Sequence, residues 1–172
     1  MLFREALLHK PLDIFLENIR KAGFEGDVET IPGESSVIPH FIREPVDFVF
    51  IDADHEYDSV VKDLFAVRAN LTPNTFLLGH DYNSSRRPGV TLAVGRFIRH
   101  YVVQSNVWPA KPEGIEHLQS LPDYSQFAAE VEWDQKVLDK RYSDAEYCRR
   151  HVIPSTESRT VSREGSVRNE RP

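Results

Sequence analysis

Two stretches of this chain are almost continuously apolar, "VDFVFID" (Val46–Asp52) and "TFLLGHDY" (Thr75–Tyr82), and both finish in acids and histidines. Continuous apolar runs of this length predict strands buried on both faces. Helical spacing surrounds them. Ile14, Phe15, Ile19 and Ala22 predict a helix over Asp13–Ala22, with Gly23 as its stop. Tyr57, Val60, Val61, Leu64, Phe65 and Leu71 form one apolar stripe and predict a second helix, which cannot continue past Pro73. "PGVTLAVGRFIRHYV" predicts a third, opened by Pro88. Shorter elements are expected between these: a strand at "DVETIPG" (Asp27–Gly33), a helix at "SSVIPHFI" with Ser35 or Ser36 as N-cap, and a strand at "QSNVWPA". Residues 125–150 predict one or two helices. The segment after Pro154 is polar and predicts a disordered tail.

Strands alternating with helices predict an α/β domain: a mostly parallel sheet with helices on both faces, spanning residues 1–153. In such sheets the ligand crevice lies beyond the carboxyl ends of the strands. One strand would deliver Asp52, Asp54 and His55 there, and the next His80, Asp81 and Tyr82.

Composition narrows the function classes. The 172 residues carry a net charge of −6, a poor match to nucleic-acid phosphates, so no nucleic-acid partner is expected. Cys148 is the single cysteine, which excludes an internal disulfide. No apolar run approaches the roughly 20 residues that span a bilayer. The N-terminal "MLFREALLHKPLD" lacks the long apolar stretch of a signal peptide. A cytoplasmic protein without a membrane partner, acting on a small molecule, is the expectation.

"IDADHEY" and "GHDY", joined by a helix and followed by "PGVTLAVGRF", resemble the second half of a class I S-adenosylmethionine-dependent methyltransferase of the small-molecule O-methyltransferase-like group. The likeness runs from about Phe15 to Trp108 and implies a Rossmann-like methyltransferase fold. It also implies that a first strand and a glycine-rich loop should precede Phe15. Only fourteen residues stand there, none of them glycine, so the fold is expected to be N-terminally truncated.

The resemblance assigns roles residue by residue. Asp52 matches the acid that ends the fourth strand, near the cofactor and a divalent cation such as Mg²⁺; Asp81 matches a second cation ligand. Tyr82 stands where relatives commonly carry a third ligand, Asn, with Asn83 one place later. His55 lies near the position of a lysine base in catechol-type relatives, and imidazole can take a hydroxyl proton at neutral pH. Ser35, with Glu34 beside it, matches a position that approaches the adenine ring. The implied activity is methyl transfer from S-adenosylmethionine to a small-molecule hydroxyl, with cation assistance. Two other readings compete: a non-catalytic remnant of the fold serving as an interaction module, and, more remotely, a metal-dependent hydrolase. A sheet missing its first strand also predicts homo-oligomer formation through an exposed edge.

Overall fold

The computed structural model describes residues 2–83 and 88–142, with side chains over 11–83 and 88–140. The chain divides into two compact units, Met1–Gly33 and Glu34–Pro172. The first holds one long helix, α1 (Leu2–Ala22), with Pro11 inside it. Gly23 follows at φ +81°, a left-handed stop that glycine adopts at little cost. The expected strand at Asp27–Gly33 is absent: the segment is turn and coil. Its β-forming residues Val28, Thr30 and Ile31 gain no backbone ladder, and a strand without a partner is not stable.

The second unit runs α2 (Ile38–Phe41), β1 (Phe48–Ile51), α3 (Tyr57–Val67), β2 (Phe76–Gly79), α4 (Gly89–Phe97), α5 (Pro112–Ser120) and α6 (Ala128–Tyr142). The α/β class follows from β1 and β2, which pair in parallel with Phe48 opposite Phe76 and Ile51 opposite Gly79. Buried polar groups fix where the strands begin. Asn70 donates from its side chain to the carbonyls of Ile42 and Glu44, and the Thr75 hydroxyl donates to the Val46 carbonyl. Each bond satisfies a carbonyl at the entry to β1, where an unpaired buried acceptor would be costly.

"QSNVWPA" forms part of a hairpin rather than a regular strand. Gln104 and Val107 exchange backbone hydrogen bonds around a two-residue turn, and Tyr101 bridges Ala110. The returning arm then bonds antiparallel to β2, with Trp108 N–H on the Gly79 carbonyl and Ala110 N–H on that of Leu77. β2 is therefore bonded along both edges. Gly79 is required there, because a Cβ would collide with the Trp108 ring.

The core gathers Val60, Val61 and Leu64 of α3, Leu77 of β2, Val94 and Phe97 of α4, Trp108, and Ile115 and Leu118 of α5. Phe97 and Phe127 meet edge to face, as do Phe65 and Phe97. Val49 and Ile51 pack against this cluster. The other face of the strand pair does not follow the expectation of cover: Phe48, Phe50 and Phe76 are 61%, 47% and 73% exposed. Continuous apolarity reports what a strand can bury, and within this unit the helices bury only every second residue.

The helix at "SSVIPHFI" becomes a 3₁₀ turn, Ser35–Val37, followed by α2, and neither serine caps it through its side chain. α5 has no counterpart in the sequence expectations. Its apolar stripe is only Ile115 and Leu118, closed in by Gly114 against the His100 carbonyl. The polar tail after Pro154 lies outside the described residues. No helix among the described residues is long and apolar enough to cross a membrane.

Candidate active site at the strand ends

Parallel pairing in register brings the carboxyl ends of β1 and β2 side by side, and His80 N–H continues the ladder by donating to the Ile51 carbonyl at 3.1 Å. The residues that follow must then share one edge. Asp81 turns the chain at φ +56°, a left-handed conformation that Asp tolerates better than most side chains. On the other side, the Asp54 carboxylate accepts the N–H groups of His55 and Glu56 and the Ser59 hydroxyl. That pins the turn to the first coil of α3. Gly89, opening α4, sits directly against the backbone of His55–Tyr57, with no room for a Cβ.

Four side chains converge. His55 Nε2 lies 2.5 Å from Asp81 Oδ2, an ion-pair contact rather than an aligned hydrogen bond. His80 Nδ1 lies 3.3 Å from the same Asp81 oxygen and 3.9 Å from Asp52 Oδ1. The far side of the His80 ring is held as well, with Nε2 2.8 Å from the Asn106 carboxamide at the hairpin tip. Asp52 and His80 are partly open to solvent, and Asp81 and His55 less so. Burial works against ionising Asp81, but the hydrogen bond from His80 and the charge of His55 outweigh it and hold the carboxyl below its ordinary range. Asp54 is lowered too: burial opposes this, and the N–H groups of Glu56 and His55 win.

Ile51, Asp52, Asp54, His55, Val60, His80, Val90 and Trp108 line a partly open pocket of about 10 Å³, room for no more than a water-sized ligand. Trp108 is fully buried, and its indole N–H has no partner among the described residues. A larger cleft of about 310 Å³ lies among Tyr57, Leu92, Arg96, Asp134, Val137 and Leu138, between helices. Arg96 donates there to the Tyr57 hydroxyl and to Asp134, and pairs with Glu130, so its charge is already matched.

Of the residues singled out from sequence, Asp52, His55 and Asp81 come together. Ser35 and Glu34 stand apart from them. The Ser35 hydroxyl donates to Asp63 of α3, and Glu34 is exposed. Asp63 and Ser59 are one helical turn apart, so the Ser35 loop and the Asp54 turn lie along the same side of α3. Tyr57 is core, as its place on the α3 stripe predicts. Sequence reasoning weighed His80 as a second base, a partner for Asp54 or a satisfied strand-end histidine; its ring is held at both nitrogens, by Asn106 on one side and facing Asp52 and Asp81 on the other. It also assigned nothing to Asn106, whose 26-residue separation from His80 leaves no local signal.

A divalent cation suits the donor set. Asp52, His80 and Asp81 each offer a ligand atom within 4.8 Å of the others. Two carboxylate oxygens and one imidazole fit Mn²⁺ or its first-row neighbours better than Mg²⁺, which prefers oxygen alone. Tyr82 is buried, and the Asn83 backbone N–H bonds to the Thr91 hydroxyl.

Residues 7–82 match a family described as "Methyltransferase domain". Among curated proteins and among solved structures, nothing matches the chain. The matched span closes on "GHDY", the end of β2, and so takes in both strand ends that build the cluster. Joined with the parallel strand pair and its acidic carboxyl edge, the match over residues 7–82 supports a methyltransferase fold of the class I S-adenosylmethionine-dependent kind for this part of the chain.

Proposed function

We propose that the chain methylates a hydroxyl of a small molecule, with His55 as base and a divalent cation held by Asp52, His80 and Asp81. The observation that carries this reading is the convergence of two strand ends on one acidic, histidine-bearing edge. Bound S-adenosylmethionine supplies a methyl group activated by its sulfonium. The chain must then lower the proton affinity of the acceptor oxygen and hold it in place. His55 suits the first task. Asp81 orients the ring through Nε2, which leaves Nδ1 for the acceptor proton. Asp52, partly exposed beside it, offers a carboxylate to the cation or the cofactor. The strand-end pocket is far too small for a nucleoside, so the cofactor would rest on the exposed loops after β1 and β2 and on the Glu34–Ser35 turn.

Calorimetric titration with S-adenosylmethionine and S-adenosylhomocysteine, with and without Mn²⁺ or Mg²⁺, tests binding. Labelled-methyl transfer to a panel of phenols and vicinal diols tests the acceptor class. One-to-one cofactor binding, weakened in Asp52→Asn, and transfer abolished in His55→Gln are expected. Binding without transfer to any hydroxyl would overturn the acceptor assignment. No binding at all would favour a non-catalytic interaction module.

A further inference from the structure

The Asn106 carboxamide, from the hairpin tip, holds the outer nitrogen of His80. Its backbone is tied down independently: the Asn106 carbonyl accepts the Tyr82 N–H at 2.9 Å, and the hairpin closes through Gln104 and Val107. Ser105, at φ +62°, carries the left-handed turn position, so residue 106 is under no such conformational demand. The side chain is thus free for another task.

An imidazole can ligate a cation through Nδ1 only when that nitrogen is unprotonated, and the ring proton must then sit on Nε2. Metal-bound histidines almost always donate this second N–H to an oxygen. A carboxamide is suited to both states, because a half-turn about its terminal bond exchanges a donor for an acceptor. Facing Nε2 with its NH₂, Asn106 supports a proton on Nδ1, which then points at Asp81 and Asp52. Facing it with Oδ1, it accepts from Nε2–H and frees the Nδ1 lone pair.

Resting on the cation site proposed above, we propose that Asn106 is a positioning residue that sets the His80 tautomer, turning its amide as a divalent cation enters between Asp52, His80 and Asp81. Mn²⁺ affinity of the whole chain, measured by calorimetry and by the electron paramagnetic resonance of free Mn²⁺, tests it. Asn106→Leu, which keeps the shape and removes the acceptor, is expected to weaken Mn²⁺ binding by about 10- to 100-fold. Asn106→Asp, which can only accept from Nε2–H, is expected to restore it. Circular dichroism should show both variants folded. Equal Mn²⁺ affinity in wild type and Asn106→Leu, with binding still lost in Asp81→Asn, would overturn the role of Asn106 and leave the cation site standing. Loss in Asn106→Leu without rescue by Asn106→Asp would also overturn it. Absence of Mn²⁺ binding in the wild type would bring down the site and the inference together.

Discussion

The two faces of the β1–β2 pair are built from the same kind of side chain and meet opposite fates. Val49, Ile51 and Leu77 point into a core closed by α3, α4, α5 and Trp108. Phe48, Phe50 and Phe76, one residue out of phase, remain exposed. Strand alternation makes this difference absolute, since a shift of one residue moves a side chain to the other face. The covered face fixes where the strand ends lie, and therefore where Asp52, His55, His80 and Asp81 meet.

The largest effect should come from the covered face. Trp108→Ala removes a fully buried ring that packs on Gly79 and lines the small cavity, and should cost about 3–5 kcal/mol in urea unfolding. A loss under 1 kcal/mol would show that the hairpin does not close this core. Gly89→Ala is next. The added methyl would meet the His55–Tyr57 backbone, which cannot swing aside as a side chain can, and about 1–3 kcal/mol of destabilisation is expected. The same change should disturb cofactor binding, because it displaces the turn that carries His55.

The uncovered face should respond weakly. Phe76→Ser should shift stability by no more than about 0.5 kcal/mol, the ordinary range for surface substitutions. A loss comparable to that of Trp108→Ala would mean that this face is covered in solution. The smallest effect concerns Asp63, which burial pushes above the usual carboxylate range despite the Ser35 hydroxyl. A carboxyl with a raised folded-state pKa destabilises the fold once it ionises, and the penalty is relieved as pH falls through that pKa. Asp63→Asn should therefore be the more stable protein at neutral pH. Its advantage should shrink on acidification toward the ordinary carboxylate range. An advantage that grows on acidification would reverse the assignment.

Much of this fold is legible in the sequence because its signals are local. The Val60–Leu64 stripe marks α3, the apolar runs mark β1 and β2, and Pro88 marks the opening of α4. The failures share a cause. Asp27–Gly33 has strand-like residues, but a strand exists only through a partner that local pattern does not reveal. α5 buries just Gly114, Ile115 and Leu118, too thin a stripe to stand out. At the site, Asp52, His55 and Asp81 are readable because they end two adjacent strands. The third donor, His80, is adjacent to Asp81 in sequence, yet its direction follows from the ladder bond to Ile51 and the grip of Asn106, both of which are long-range.

The central claim is that two strand ends form one cofactor-binding edge. Backbone amide shifts followed by NMR during titration with S-adenosylhomocysteine test it most directly. The account predicts that the amides of 52–55 and 80–82 move together and saturate with a single dissociation constant. Shifts in only one of the two loops, or none in either, would contradict it.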